Sequence, residues 1–180
     1  GRLFFNTGRR LNNGFIRLGH SVLGFSDRDI QKYYKSIADF KGSNVLNDKL
    51  KKTCYNYKPD LVIAGHADLI SREQIQELKE DNPNTKFAQW FLDPLNKYGP
   101  DFKRNKDRIV DKEDLMDATF VTTCPSVLNF LPNKEKNFYL THKFVSKCID
   151  KYRSEKLFYK KNIFLKSKLK SLRILHVTNF

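Results

Sequence analysis

Apolar residues recur along this chain in two periods, and the switching between them lays out an order of elements. Leu11, Phe15 and Leu18 fall at i, i+4 and i+7 behind Thr7. That spacing predicts an amphipathic helix over residues 8–18, with Thr7 as its N-cap and Gly19 as its stop. The short apolar run His20–Phe25 predicts a strand, and Ser26-Asp27-Arg28-Asp29 opens a helix expected to reach about Phe40. Val45, Leu46, Leu50 and Tyr55 give residues 43–57 a helical spacing, closed by a turn at Lys58-Pro59-Asp60. Leu61–Gly65 is short, β-branched and wholly apolar, as a strand buried on both faces requires. Ser71 and Gln74 have capping-box spacing ahead of Ile75 and Leu78, and Asp81-Asn82-Pro83 ends that helix. Lys86–Leu92, Ala118–Thr123 and Asn137–Leu140 complete the internal strands.

Strands alternating with helices at this spacing predict an α/β domain, a Rossmann-like parallel sheet with helices on both faces. The last nine residues, Leu172–Phe180, read as the opening strand of such a domain although they close the chain. Continued into Gly1–Arg10 they make a strand, loop and helix, so the expected chain is one opened inside its first strand-to-helix loop. Residues 173–178 are then a sixth strand inserted centrally. The expected organisation is a single domain with 1–150 as its body, 151–171 as a basic helical crossover and 172–180 as the strand that completes it.

The size and composition agree: 180 residues with 39% hydrophobic content and 15 Phe can bury one core. No apolar run approaches the roughly 20 residues a membrane-spanning helix needs. The net charge of +14 suggests a nucleic-acid binder until its distribution is examined. Residues 151–180 hold nine Lys or Arg and one acid, whereas residues 1–150 hold 25 basic and 19 acidic residues, so most of the excess sits in the tail. Cys54, Cys124 and Cys148 match neither a disulfide framework nor a zinc spacing, which points to a reducing, cytoplasmic setting. Four His without HExxH or CxxC give no support to a metal site.

Ligands of open parallel sheets bind beyond the carboxyl ends of the strands, so the residues that follow each strand carry the candidate chemistry. After Leu61–Gly65 come His66 and Asp68. The first exchanges a proton near neutral pH; the second either holds its tautomer or acts as a base itself, unless both only bond loop backbone. Asp93 ends an apolar strand, where it needs donors or a ligand hydroxyl, or else caps the turn before Pro94. Asn96 and Lys97 follow it, and Thr122-Thr123-Cys124 follow a third strand. Asn6, Thr7, Arg9 and Arg10 stand at a helix start that favours phosphate or carboxylate, or are solvated there. Without GxGxxG spacing this segment predicts neither nicotinamide nor flavin, so no cofactor is expected. Trp90 is either a sugar-stacking ring or core.

Taken together, Arg173–Phe180, Gly1–Arg10, Asn13–Ser21, Phe25–Asp29, Pro59–His66 and Gln89–Pro94 resemble the CgeB-like glycosyltransferases (spore-protein CgeB/YkvP-like domain). The resemblance covers roughly residues 1–140 and the final nine. It implies the two-Rossmann-domain GT-B architecture, with this chain as the N-terminal, acceptor-side half. It also implies transfer from a nucleotide sugar to an unknown acceptor, with a second domain supplying most of the donor site. His66, Asp68 and Asp93 would then face the cleft as catalytic residues. Asn6, Thr7, Arg9, Arg10, Trp90, Asn96 and Lys97 would bind substrate, with no bound metal. A rival expectation from composition is a non-catalytic module whose Lys-rich tail binds nucleic acid or an anionic membrane surface.

Overall fold

The computed structural model describes residues 7–35, 39, 42–66, 68–124, 128–130, 138–140 and 170–178. In chain order the elements are α1 (Thr7–Arg17), β1 (Ser21–Phe25), α2 (Asp27–Tyr33), α3 (Ser43–Tyr57), β2 (Leu61–Gly65), α4 (Arg72–Asp81), β3 (Lys86–Phe91), α5 (Phe102–Val110), β4 (Ala118–Val121), β5 (Phe138–Leu140) and β6 (Arg173–Thr178). The strands form one six-stranded sheet in the order β1-β6-β2-β3-β4-β5, every pair parallel. The closing strand therefore lies inside the sheet, pairing Val22 with Ile174 on one side and Ile63 with His176 on the other. Asn6, residues 151–169 of the crossover expected over 151–171 and the approach of Phe180 to Gly1 lie outside the described residues.

Helices cover both faces. Leu11 and Phe15 of α1 pack against Ile63, Trp90 and Ile174 on one face. Leu46, Leu50 and Cys54 of α3 and Ile75 and Leu78 of α4 pack against Val62, Phe87, Leu175 and Val177 on the other. Ile109 of α5 joins Phe91, Val121 and Leu128. Because β6 has β1 on one side and β2 on the other, the direction of winding reverses at β6, and the crevice such a reversal leaves opens at the carboxyl ends of β6 and β2.

Local signals set most boundaries. The amides of Gly19 and His20 donate to the carbonyls of Ile16 and Phe15, with Gly19 at φ 88°, a Schellman stop for α1. Ser71 and Gln74 make the reciprocal capping box. Two expectations are corrected, and one helix was not foreseen. Thr7 is the first helical residue of α1 rather than its N-cap. The second helix ends at Tyr33, short of Phe40. α5 had no prediction, since Phe102 and Ile109 are too sparse an apolar stripe among Lys, Arg and Asp for periodicity to register.

Gly65 is required by packing rather than by backbone conformation. A Cβ built there would lie 2.3 Å from the Trp90 ring across the β2–β3 pairing. Gly65→Ala is expected to destabilise the fold by about 1–3 kcal/mol through overpacking, read as a lower urea midpoint at unchanged m-value. An unchanged midpoint would place the Trp90 ring elsewhere.

Candidate functional site

The site is built where β2 and β3 end. His66 follows β2 in the left-handed region at φ 49°, a conformation that costs a non-glycine residue about 1–3 kcal/mol and gathers at functional positions. Its carbonyl accepts the Asp68 amide at 2.7 Å, folding the chain back at once. The ring stands edge-on to Trp90, with centroids 5.7 Å apart, and 4.7 Å from the Phe91 ring. This apolar bed makes burial the main influence on the imidazole and pulls its pKa below the usual 6.5, against the opposing pull of Asp93 and Asp68. His66 is thus neutral at neutral pH.

Its carboxylate neighbour is Asp93, whose Oδ2 lies 3.9 Å from His66 Nδ1. That is longer than a hydrogen bond, and it becomes an ion pair when His66 is protonated. The loop holding Asp93 is fixed from β4: Thr122 Oγ1 donates to the Leu92 carbonyl at 3.1 Å, and Thr123 Oγ1 accepts the Leu95 amide at 3.1 Å. Asn105 Nδ2 donates to the Pro94 carbonyl at 3.3 Å from α5. The turn before Pro94 therefore has anchors of its own, and the Asp93 carboxylate faces His66.

Asp68 does not orient His66, and that expectation is corrected. Its Oδ2 lies 3.3 Å from Arg28 and 3.0 Å from Arg108, two guanidiniums that satisfy it more strongly than a neutral imidazole can. Trp90 is core rather than a stacking platform, 4% exposed, its indole N–H donating to His176 Nε2 at 3.0 Å. Asn96 is committed to its own turn, accepting the Tyr98 amide through Oδ1 and the Gly99 amide through its carbonyl. Asn96 and Lys97 are exposed and do not line the cavity at His66. Thr7, Arg9 and Arg10 open α1. Ser171 bonds the Gly19 carbonyl near the far end of that helix, and Asn12 contacts His176 midway. At 1.5 Å per residue, Thr7 then lies toward the carboxyl ends of the strands, the end where His66 stands.

A cavity of about 30 Å³, room for a water or two, lies beside His66 and Asp68, walled by Gln89, Phe91, Arg108 and Lys112. Asp27, 1% exposed at the end of β1, accepts the Arg28 amide at 2.8 Å through Oδ1, while Oδ2 is buried without a hydrogen bond. Burial raises its pKa. Sequence reasoning missed Arg28, Arg108 and Lys112. The first was read only as part of a helix start, and the other two lie on and just after the helix that periodicity did not reveal. Among the described residues no cluster of His, Cys, Asp and Glu could hold a metal ion, and no helix is long and apolar enough to cross a membrane. No protein-family model, curated protein or solved structure matches the chain.

Proposed function

We propose that this chain is the acceptor-side half of a GT-B glycosyltransferase, moving sugar from a nucleotide sugar to an acceptor in a reducing, cytoplasmic setting. The observation that carries the reading is the pairing of a desolvated, backbone-strained His66 with Asp93 at the carboxyl ends of adjacent strands. Such a pair suits general base catalysis. Nδ1 faces Asp93, so a neutral imidazole with its proton there leaves Nε2 to take a proton from an acceptor hydroxyl, and Asp93 stabilises the imidazolium that results. The donor diphosphate leaves on the side of a second domain, with Arg9 and Arg10 contributing positive charge from this half and Thr7 the backbone amide at the start of α1.

The test is turnover with a panel of nucleoside diphosphate sugars, for the chain alone and joined to a donor-side domain. His66→Ala is expected to lower turnover by about 10²–10⁴-fold while the far-UV circular dichroism is kept. Because burial lowers the His66 pKa, activity should hold through pH 6.5 and fall only at lower pH, as the base is protonated. Unchanged turnover in His66→Ala would remove this assignment. The rival, a non-catalytic module binding nucleic acid or an anionic membrane through 151–170, rests on charge alone. It predicts binding that vanishes between low and moderate salt and ignores His66.

A further inference from the structure

Strand β1 forms one edge of the sheet, with β6 as its neighbour on one side and no strand on the other. It lacks the devices that keep edges apart: Ser21-Val22-Leu23-Gly24-Phe25 contains no charge and no proline, and its register with β6 runs unbroken over all five residues. The Ser21 amide donates to the Leu172 carbonyl at 2.9 Å, so by strand alternation Leu23 and Phe25 also bond β6. The amides and carbonyls of Val22 and Gly24 then point outward, and among the described residues nothing bonds to them. Gly24 is exposed and Leu23 is 38% exposed, which leaves this row open. The edge is apolar on both faces. Val22 lies on the face that α1 covers and Leu23 on that of α3, while Ile16, near the end of α1, is 55% exposed.

We propose that β1 is a dimerisation edge, pairing antiparallel with β1 of a second copy about a two-fold axis at Leu23 and joining two six-stranded sheets into one. The strand is self-complementary in that register. Val22 of each copy stands opposite Gly24 of the other, and each pair exchanges both of its outward N–H and C=O groups. On one face Gly24, lacking a side chain, leaves room for the branched Val22; on the other, the two Leu23 side chains meet. Charge sets the direction. Exposed Arg17 lies in the last turn of α1, where β1 begins, and exposed Asp29 in the first turn of α2, where β1 ends, with Arg28 beside it turned to Asp68. Antiparallel pairing lays the Arg17 end of one copy beside the Asp29 end of the other, whereas parallel pairing sets like beside like. Area sets the strength. A five-residue edge, even widened by Ile16, falls short of the roughly 800 Å² per partner of a standard interface, so the dimer dissociates in about the micromolar range. The His66 sites stand two strands in from this edge and open toward opposite ends of the joined sheet.

Sedimentation velocity on the whole chain, from about 1 to about 500 μM, should show a reversible monomer–dimer equilibrium. Leu23→Lys sets two like charges face to face and should raise the dissociation constant about tenfold or more, with the far-UV circular dichroism kept. The register has its own test, made with Cys124→Ser and Cys148→Ser to remove competing thiols. Opposed residues at the two-fold have Cα atoms about 4.5 Å apart, within disulfide reach, so Leu23→Cys should form a linked dimer on mild oxidation. Ser21→Cys, which faces Phe25 of the second copy, should stay unlinked. A chain that remains monomeric throughout overturns the proposal, and so does a dimer that Leu23→Lys leaves intact, since its interface lies elsewhere. Should Leu23→Lys fail to fold, the cysteine pair decides: linkage at position 23 alone supports the edge, and linkage at neither position or equally at both overturns it. Sugar transfer, present or absent, bears on none of these outcomes.

Discussion

Trp90→Ala is expected to remove about 3–5 kcal/mol of stability, a large part of what a domain of this size possesses. Trp90 is 4% exposed, fills the space that Gly65 leaves open, and packs with Ile63, Ala88 and Ile174 under α1. Truncation leaves a cavity at the centre of the sheet and strips His176 Nε2 of the indole N–H that donates to it. Urea unfolding should show a much lower midpoint, and Trp90→Phe, which keeps a ring but loses the N–H, should fall between the two. If Trp90 were instead a ligand-stacking ring, Trp90→Ala would leave the midpoint near the parent value and alter only binding.

Mild acid should unfold this protein through one buried imidazole. His176 is fully buried in β6, accepting the Trp90 indole N–H on Nε2 and contacting Asn12 Oδ1 through Nδ1. This pattern suits only the neutral ring, with Nδ1 as donor to Asn12. Burial moves its pKa from 6.5 down to about 4. The folded state therefore resists a proton that the unfolded chain accepts. The contribution of His176 is intact above pH 6.5, is lost progressively as pH falls from 6.5 to about 4, and is level below that. The span corresponds to about 3 kcal/mol. Asp27, raised by burial, acts in the opposite sense, so the comparison must be internal. A His176→Gln variant, less stable at pH 7, should show a shallower decline between pH 6.5 and 4 than the parent. Parallel pH profiles for the two proteins would mean that burial leaves the His176 pKa where it stands in the unfolded chain.

Element types were legible where one interaction dominates. Leu61–Gly65 had to be a strand because a five-residue apolar, β-branched run has no polar face for a surface helix. Ser71 and Gln74 fixed a helix start through bonds made within four residues. α5 was not legible, since its stability comes from Ile109 entering the Phe91–Val121 cluster, a contact across the sheet rather than a local preference. At the site, His66 and Asp93 could be named from their places after apolar strands, but their facing each other depends on β2 and β3 being neighbours. The pairing of Asp68 with Arg28 and Arg108 spans about 40 residues in either direction, and no spacing rule reaches that far.

By itself, the amino-acid sequence determined that the chain is α/β, where most strands and helices fall, and that its last residues have the character of a central strand. Those properties follow from periodicity, caps and turns, which act between residues a few places apart. Only the tertiary structure decided which side chains share a wall at the strand ends and whether each is met by water, an aromatic ring or an opposite charge. Trp90 became core, Asp68 became the partner of two arginines, and His176 became a neutral hydrogen-bonded imidazole, because burial and charge pairing depend on neighbours that parallel crossovers bring from distant parts of the chain.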